Sequence, residues 1–128
     1  MIAIDTNILV RIFIDDLNME QVTAARTLVQ KARKIFLAQI VLVEMVWVLM
    51  RAYDLTKEQV LVILQEIHEN AAFFIEGEKQ FMTAFALFKD NNIDFSDCMI
   101  FSAAKAIDIN HIYTFDIKFS KIKDVKKL

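Results

Sequence analysis

The sequence predicts an α/β protein, with a parallel sheet of about four or five strands and helices on both faces. Short apolar segments typical of buried strands alternate along the chain with amphipathic segments typical of helices. Crossovers between parallel strands are right-handed and place the helices over the sheet. Only one Gly and no Pro occur in 128 residues. Nothing therefore resembles a linker, and a single domain spanning residues 1–128 is expected.

The chain opens with a predicted strand and two helices. Residues 2–4 are apolar and too short for anything but a buried strand. Residues 5–7, Asp-Thr-Asn, provide helix-capping side chains for a helix that follows, and Asn18 is placed to cap the next one. Residues 35–38 then form the second predicted strand.

The middle of the chain predicts a helical hairpin. Residues 40–52 are apolar nearly all round, and Thr56 with Gln59 matches the capping box that begins a helix. Residues 72–75 read as the third strand.

The last part of the chain predicts two more helices and a fourth strand at residues 112–115. The first helix carries Phe81, Phe85 and Phe88. The second carries Ile100, Ala103, Ala104 and Ile107, which are expected on the side of the helix that faces the core.

Net charge and cysteine content exclude few functional classes. The net charge is -2, which alone argues against a broadly basic nucleic-acid binder, but acids that hold a metal do not count against one. The lone Cys98 has no partner for an internal disulfide, and no signal-peptide pattern opens the chain. The most apolar window, residues 40–50, is about half the roughly 20 residues that span a bilayer. We expect a cytoplasmic protein without a membrane segment.

Two aspartates directly follow predicted strands. Asp5 follows the first strand and Asp116 the fourth, and ligands gather at the carboxyl ends of parallel strands. If these strands are parallel neighbours, both carboxylates emerge at the same edge of the sheet. Considered alone, Asp5 is better explained as a helix cap and Asp116 as a turn residue.

Three further acids are candidates for the same site. Glu44 interrupts an otherwise apolar helix, and a buried lone carboxylate costs several kcal/mol unless it is paired, protonated or bound to a cation. We favour a cation over the alternatives, which are an ion pair with Arg11 or Arg51 or a locally exposed position. Asp94 and Asp97 lie at the start of a helix, where Asp97 is the better inward candidate and Asp94 an outer ligand or a cap.

Such a set of carboxylates predicts a metal ion. Acids brought together repel one another and raise one another's pKa values unless a cation balances them. All of the donors are oxygens, and no paired cysteines or histidines accompany them, which favours Mg²⁺ or Mn²⁺ over zinc.

The order of these motifs resembles that of PIN domains, and the resemblance covers nearly the whole chain. The motifs are DTNILVR over residues 5–11, the helix-borne Glu44, DCMIFSAA over residues 97–104 and TFDIKF over residues 114–119. The length and the first and last motifs are similar to those of VapC toxins, the ribonuclease half of toxin-antitoxin pairs. Cys98 departs from the small residue, such as alanine, that is more usual there.

The resemblance implies a metal-dependent endoribonuclease. Its metal-site acids are Asp5, Glu44, Asp97 and Asp116, and the supporting polar groups are Thr6, Asn7 and Thr114. Arg11 and the lysines near the C-terminus, Lys118 among them, are expected to hold RNA phosphates. A cognate antitoxin and a homodimer are the implied protein partners.

Two other functions compete with this hypothesis. A phospho-acceptor signalling domain also has a parallel α/β fold with an acidic magnesium pocket, but it requires paired acids after the first strand, where Asp5 stands alone. A catalytically silent interaction module with the same fold is the second alternative. The presence of all four acids weighs against it.

Overall fold

A computed structural model describes all residues from Met1 to Leu128. The chain forms two compact units, Met1–Glu76 and Gly77–Leu128. No helix combines the length and the apolar character needed to cross a bilayer.

The first unit contains a three-stranded parallel sheet and four helices. Its elements are β1 (Ile2–Ala3), α1 (Thr6–Phe13), α2 (Met19–Lys31), β2 (Ile35–Leu37), α3 (Gln39–Arg51), α4 (Lys57–Glu69) and β3 (Phe73–Ile75). The strand order is β1-β2-β3, with Ile35 of β2 opposite Ile2 of β1 and Phe73 of β3. These strands and helices occur where the sequence predicts them.

Local capping fixes the beginnings of three of these helices. Asn18 accepts a hydrogen bond from the backbone N–H of Gln21, and Thr56 and Gln59 form the predicted capping box. Each cap satisfies backbone donors that have no partner inside the helix. Asp5 caps α1 in the same way.

The core of the first unit lies where α1, α3 and α4 bury their apolar faces. Leu9, Leu42, Leu49 and Leu64 are fully buried, as is Ile35 on the central strand. Burying one side chain of this size stabilises the fold by about 1.5–3 kcal/mol. Together these side chains hold the helices against one another.

The second unit pairs two helices with a small sheet. Its elements are α5 (Glu78–Asp90), α6 (Phe95–Ala106), β4 (Ile112–Thr114), a short 3₁₀ helix (Phe119–Lys121) and β5 (Val125–Lys127). α5 packs against α6 through Phe88 and Phe95, whose ring centroids are 5.4 Å apart and nearly perpendicular. β4 and β5 are parallel, with Ile112 opposite Val125.

The α/β class with parallel strands is confirmed, but the five strands form two sheets of three and two. The strand pairs are β1–β2, β2–β3 and β4–β5, so β1 and β4 are not paired neighbours as the shared-edge expectation assumed. The sequence did not predict β5, because this strand has one buried residue, Val125, followed by two exposed lysines, and so lacks an apolar strand pattern.

The expected inward face of α6 is wrong. The buried residues are Phe95, Cys98, Met99 and Ser102. Ile100, Ala103 and Ile107 are exposed instead. Apolar residues occupy both sides of this helix, so periodicity alone did not identify the side that packs.

Candidate active site

Asp5 lies two residues after the end of β1 and is fixed by the helix that it caps. Its Oδ1 accepts a hydrogen bond of 3.1 Å from the backbone N–H of Ile8, and its Oδ2 has no protein partner. The residue is exposed to solvent. The capping role and the ligand role are therefore compatible, since one oxygen orients the carboxylate and the other stays free.

A cleft of about 350 Å³ between α1 and α2 opens beside Asp5. Asn7 and Arg11 line it with Asp5, and Ala25 and Leu28 provide apolar wall. Thr6 is the first residue of α1 and is half-buried. The first unit thus gathers Asp5, Asn7 and Arg11 at one surface.

Arg11 is held in place by several contacts. Its guanidinium donates to the backbone oxygen of Asn7 over 3.2 Å and lies 3.7 Å from the carboxylate of Asp16. The hydroxyl of Tyr53 donates to that same carboxylate over 2.5 Å. This hydrogen bond is the largest cause that lowers the pKa of Asp16, and it raises the pKa of Tyr53. Sequence reasoning missed this network because Tyr53 and Asp16 are 37 residues apart.

Glu44 is exposed on α3, so the argument that began from its burial is wrong. The local exposure that the sequence left open is what occurs. Glu44 forms no ion pair with Arg11 or Arg51, the two arginines that the sequence offered as partners. Arg11 lies beside Asp16, and the guanidinium of Arg51 lies 5.8 Å from the ring centre of Trp47. Glu44 is therefore a free carboxylate, and it is not among the residues that line the Asp5 cleft.

The second unit brings three acids close together, and we call Asp94, Asp97 and Asp116 the acidic cluster. Burial raises the pKa of Asp97, and the negative charges of Asp94 and Asp116 raise it further. Asp97 lies in the first turn of α6 and is half-buried.

Asp94 occupies the N-cap position of α6 but does not act as a cap through its side chain, which makes no capping hydrogen bond. Its carboxylate is exposed and contributes to a second cleft, of about 400 Å³, together with Asp116 and Lys118. Helix capping by the side chain, the simplest structural role for an aspartate at this position, therefore does not explain Asp94.

Asp116 is held much as Asp5 is. Its Oδ1 accepts a hydrogen bond of 2.8 Å from the backbone N–H of Phe119, and its own N–H donates to Thr114 Oγ1 over 3.0 Å. Thr114 thus supports the acid as the sequence motif implies. The second carboxylate oxygen of Asp116 has no protein partner.

The donor chemistry of these residues fits a hard divalent cation. Every candidate donor is a carboxylate oxygen. Burial raises the pKa of Asp97, and the charges of Asp94 and Asp116 add to that effect, so a bound cation would offset the repulsion among these carboxylates. As the side chains stand, no three Asp, Glu, His or Cys side chains are arranged to hold a metal ion. The charge and the donor type of these residues therefore fit such a cation.

A family comparison decides which proteins this chain belongs with. The model of the PIN domain family matches residues 2–125. The chain belongs to the PIN domain family. A VapC ribonuclease of Aquifex aeolicus (strain VF5) is 26% identical over 93 residues, which are 73% of this chain and 69% of that protein. The resemblance to PIN domains of the VapC type is therefore confirmed.

Proposed function

We propose that this PIN domain is a metal-dependent endoribonuclease and the toxin of a toxin-antitoxin pair. The observation that carries the proposal is the acidic cluster in a chain of the PIN family: Asp94 and Asp116 line one cleft, and burial together with their negative charges raises the pKa of Asp97. The similarity to a VapC ribonuclease supports RNA as the substrate. A cytoplasmic location belongs to the same proposal.

The proposed ligands of Mg²⁺ or Mn²⁺ are Asp5, Asp97 and Asp116. Asp5 and Asp116 each keep one oxygen bonded to a backbone N–H and one oxygen free, so little side-chain entropy is lost on binding. Asp97 completes the ligand set, and the unpaired Asp94 is an outer ligand. Support for Asp5 comes from the order of the family motifs, and support for the other three from the acidic cluster.

When bound, the cation lowers the pKa of a water and stabilises the charge that develops on the phosphate oxygens. Glu44, an exposed carboxylate without an ion pair, orients the attacking water or holds a second ion. No side chain of the chain is required as a nucleophile, so the protein's task is to position charge.

Basic groups near both clefts are the proposed phosphate contacts. Arg11 lines the cleft beside Asp5, and Lys118 lines the cleft beside Asp116. Lys126 and Lys127 are exposed on β5. Arginine and lysine donate charge-assisted hydrogen bonds to phosphate oxygens, so each of these groups favours a polyanion.

The proposed protein partners are a cognate antitoxin and a second copy of the chain. The similarity to a VapC ribonuclease supports the antitoxin. α3 leaves Trp47 60% exposed and Ile40 62% exposed, and an apolar surface of this kind is typical of protein interfaces. Met45 of the same helix is fully buried and belongs to the core.

Incubation of the chain with total RNA tests the proposal. Cleavage is expected with Mg²⁺ or Mn²⁺, and a chelator or the substitution Asp97→Asn is expected to stop it. Glu66→Gln, which alters an exposed acid on α4, is the control and should cut as the wild type does. RNA that stays intact with either metal, while the chain is folded, contradicts the proposal and favours the silent interaction module. Membership of the PIN family argues against the phospho-acceptor alternative.

A further inference from the structure

Three polar side chains of the first unit, Tyr53, Asp16 and Arg11, are joined in a row that ends at the cleft beside Asp5. Tyr53 lies two residues after the end of α3, Asp16 lies between α1 and α2, and Arg11 is in the last turn of α1 and lines the cleft. The hydroxyl of Tyr53 donates to Oδ2 of Asp16 over 2.5 Å. The same oxygen lies 3.7 Å from Nη2 of Arg11. All three side chains are half-buried, so their arrangement is shielded from water.

The carboxylate of Asp16 is fixed through both of its oxygens. Oδ1 accepts a hydrogen bond of 3.0 Å from the backbone N–H of Asn18, which is a local turn contact of a kind that aspartate makes with residues two further on. Tyr53 fixes the second oxygen from a different part of the chain, and this hydrogen bond is the largest cause that lowers the pKa of Asp16. Asp16 therefore presents an oriented negative charge to Arg11 at neutral pH.

Arg11 is oriented by this charge without spending most of its donors on it. A distance of 3.7 Å to Asp16 is that of an ion pair and is too long for a hydrogen bond. Nη1 donates to the backbone oxygen of Asn7, and Nε is buried without a hydrogen-bond partner. Buried donors without a partner are rare because they cost stability. The guanidinium is thus held in one orientation while donors remain for an anion in the cleft.

The end of α1 does not need Tyr53 to hold it in place. Arg26 of α2 donates from Nε to the backbone oxygens of Arg11 and Ile12, over 3.1 and 3.2 Å. Its Nη2 lies 2.9 Å from the carboxylate of Asp15. These contacts anchor the backbone that follows α1 to α2. What the hydrogen bond from Tyr53 adds is the orientation of a side chain.

We propose that Tyr53 is a positioning residue that acts through Asp16 to hold Arg11 ready for an RNA phosphate in the cleft beside Asp5. The inference rests on the proposed function and assigns a role in it to two residues of the first unit. A free arginine side chain loses its rotamer freedom when it binds, which lowers affinity by roughly 10- to 30-fold. Holding the guanidinium in place before RNA arrives avoids that loss.

The test is a double-mutant cycle between Tyr53 and Arg11, read out as the KM and kcat of RNA cleavage. Tyr53→Phe is expected to raise KM roughly 10-fold with little change in kcat, the pattern for loss of a contact made equally in the bound and transition states. In the background of Arg11→Met, Tyr53→Phe should have no further effect, because it acts through Arg11. Tyr113→Phe is the matched control, since it removes the hydroxyl of a tyrosine that is 61% exposed and makes no hydrogen bond within the protein.

A second variant and a second measurement do not depend on cleavage. Asp16→Asn keeps an oxygen that accepts from the N–H of Asn18 and removes the charge that orients Arg11, so it should raise KM as Tyr53→Phe does. The NMR order parameter of the Arg11 Nε–H bond is expected near about 0.85 in the wild type and below about 0.6 in either variant. Circular dichroism melts show that each variant is folded at the temperature of the assay.

The outcomes separate this inference from the proposed function. If the wild type cuts RNA but Tyr53→Phe leaves KM unchanged, or raises it equally with and without Arg11, the positioning inference is wrong and the nuclease proposal stands. If no metal-dependent cutting occurs, binding of a labelled RNA replaces KM in the same cycle. Binding that depends on Tyr53 only when Arg11 is present then supports the positioning inference, while the nuclease proposal is wrong. Absence of RNA binding by the folded wild type overturns both.

Discussion

Replacing Asp5 in two ways separates its role as a cap from its role as a metal ligand. Asp5→Asn keeps an oxygen that can accept the hydrogen bond from the backbone N–H of Ile8, and it removes the negative charge. Asp5→Ala removes both. We therefore expect both variants to lose metal-dependent cleavage and only the alanine variant to lose stability.

The size of the stability change follows from the helix cap. Asn and Asp are about equally good caps, whereas replacing either by Ala costs about 1 kcal/mol. For 128 residues the entropy of unfolding is about 0.27 kcal/mol/K, so Asp5→Ala should melt about 4 °C below the wild type. Asp5→Asn should stay within about 0.5 kcal/mol of the wild type, because the amide oxygen can still cap the helix.

Thermal melts by circular dichroism and cleavage of a labelled RNA measure the two roles on the same preparations. Metal-dependent cleavage by Asp5→Asn would show that the charge of Asp5 is not needed. Equal melting temperatures for the Asn and Ala variants would show that the cap does not stabilise α1.

Three other predictions follow from the same geometry. The folded-state pKa of Asp97 is raised above 3.8, so its charge costs stability progressively as the pH rises through that pKa; Asp97→Asn should therefore melt higher than the wild type at pH 7 without metal, and the difference should vanish below pH 3.8, whereas a difference independent of pH would contradict the electrostatic cause. Tyr53→Phe removes the largest cause that lowers the pKa of Asp16 below 3.8, so a carboxyl NMR titration should show that pKa rising toward its ordinary value. The variant should be less stable than the wild type at neutral pH, and this difference should disappear only as the pH falls below 3.8 and through the lowered folded-state pKa of the wild type; an unchanged titration would argue against the hydrogen bond. Glu44→Gln should lower cleavage while changing stability by less than about 0.5 kcal/mol, since Glu44 is exposed and unpaired, and equal cleavage by Glu44→Gln and Glu66→Gln would remove Glu44 from the mechanism.

Features that depend on a few neighbouring residues could be predicted from the sequence. The Asn18 cap and the Thr56–Gln59 capping box are examples, because the donor and the acceptor lie within three residues of each other. The three strands of the first unit were found for a similar reason, since each is a short apolar segment between helices.

Features that depend on tertiary packing could not be predicted. β5 exists because it pairs with β4, and its composition of one buried valine and two exposed lysines carries no strand pattern. α3 and α6 are apolar on more than one side, so the sequence did not show that Glu44 faces solvent or that Cys98 and Met99 face inward.

In the candidate site, too, contacts between neighbouring residues could be predicted and features that depend on tertiary packing could not. Thr114 supports Asp116 through a contact between residues two apart, and the family motif indicated it. The sequence did not predict that the carboxylate of Asp94 is free, because capping of the helix was an equally good expectation for it. It did not predict that the ring of Phe115 is exposed, because that residue was expected to be buried in the fourth strand.

A calorimetric titration of Mn²⁺ into the chain at pH 7 measures directly whether these carboxylates hold a metal ion. Saturable binding is expected for the wild type, strong weakening of that binding for Asp97→Asn and Asp116→Asn, and no change for Glu66→Gln. Absence of binding to the folded wild type, or equal binding by all four proteins, would contradict the claim that these carboxylates hold a metal ion.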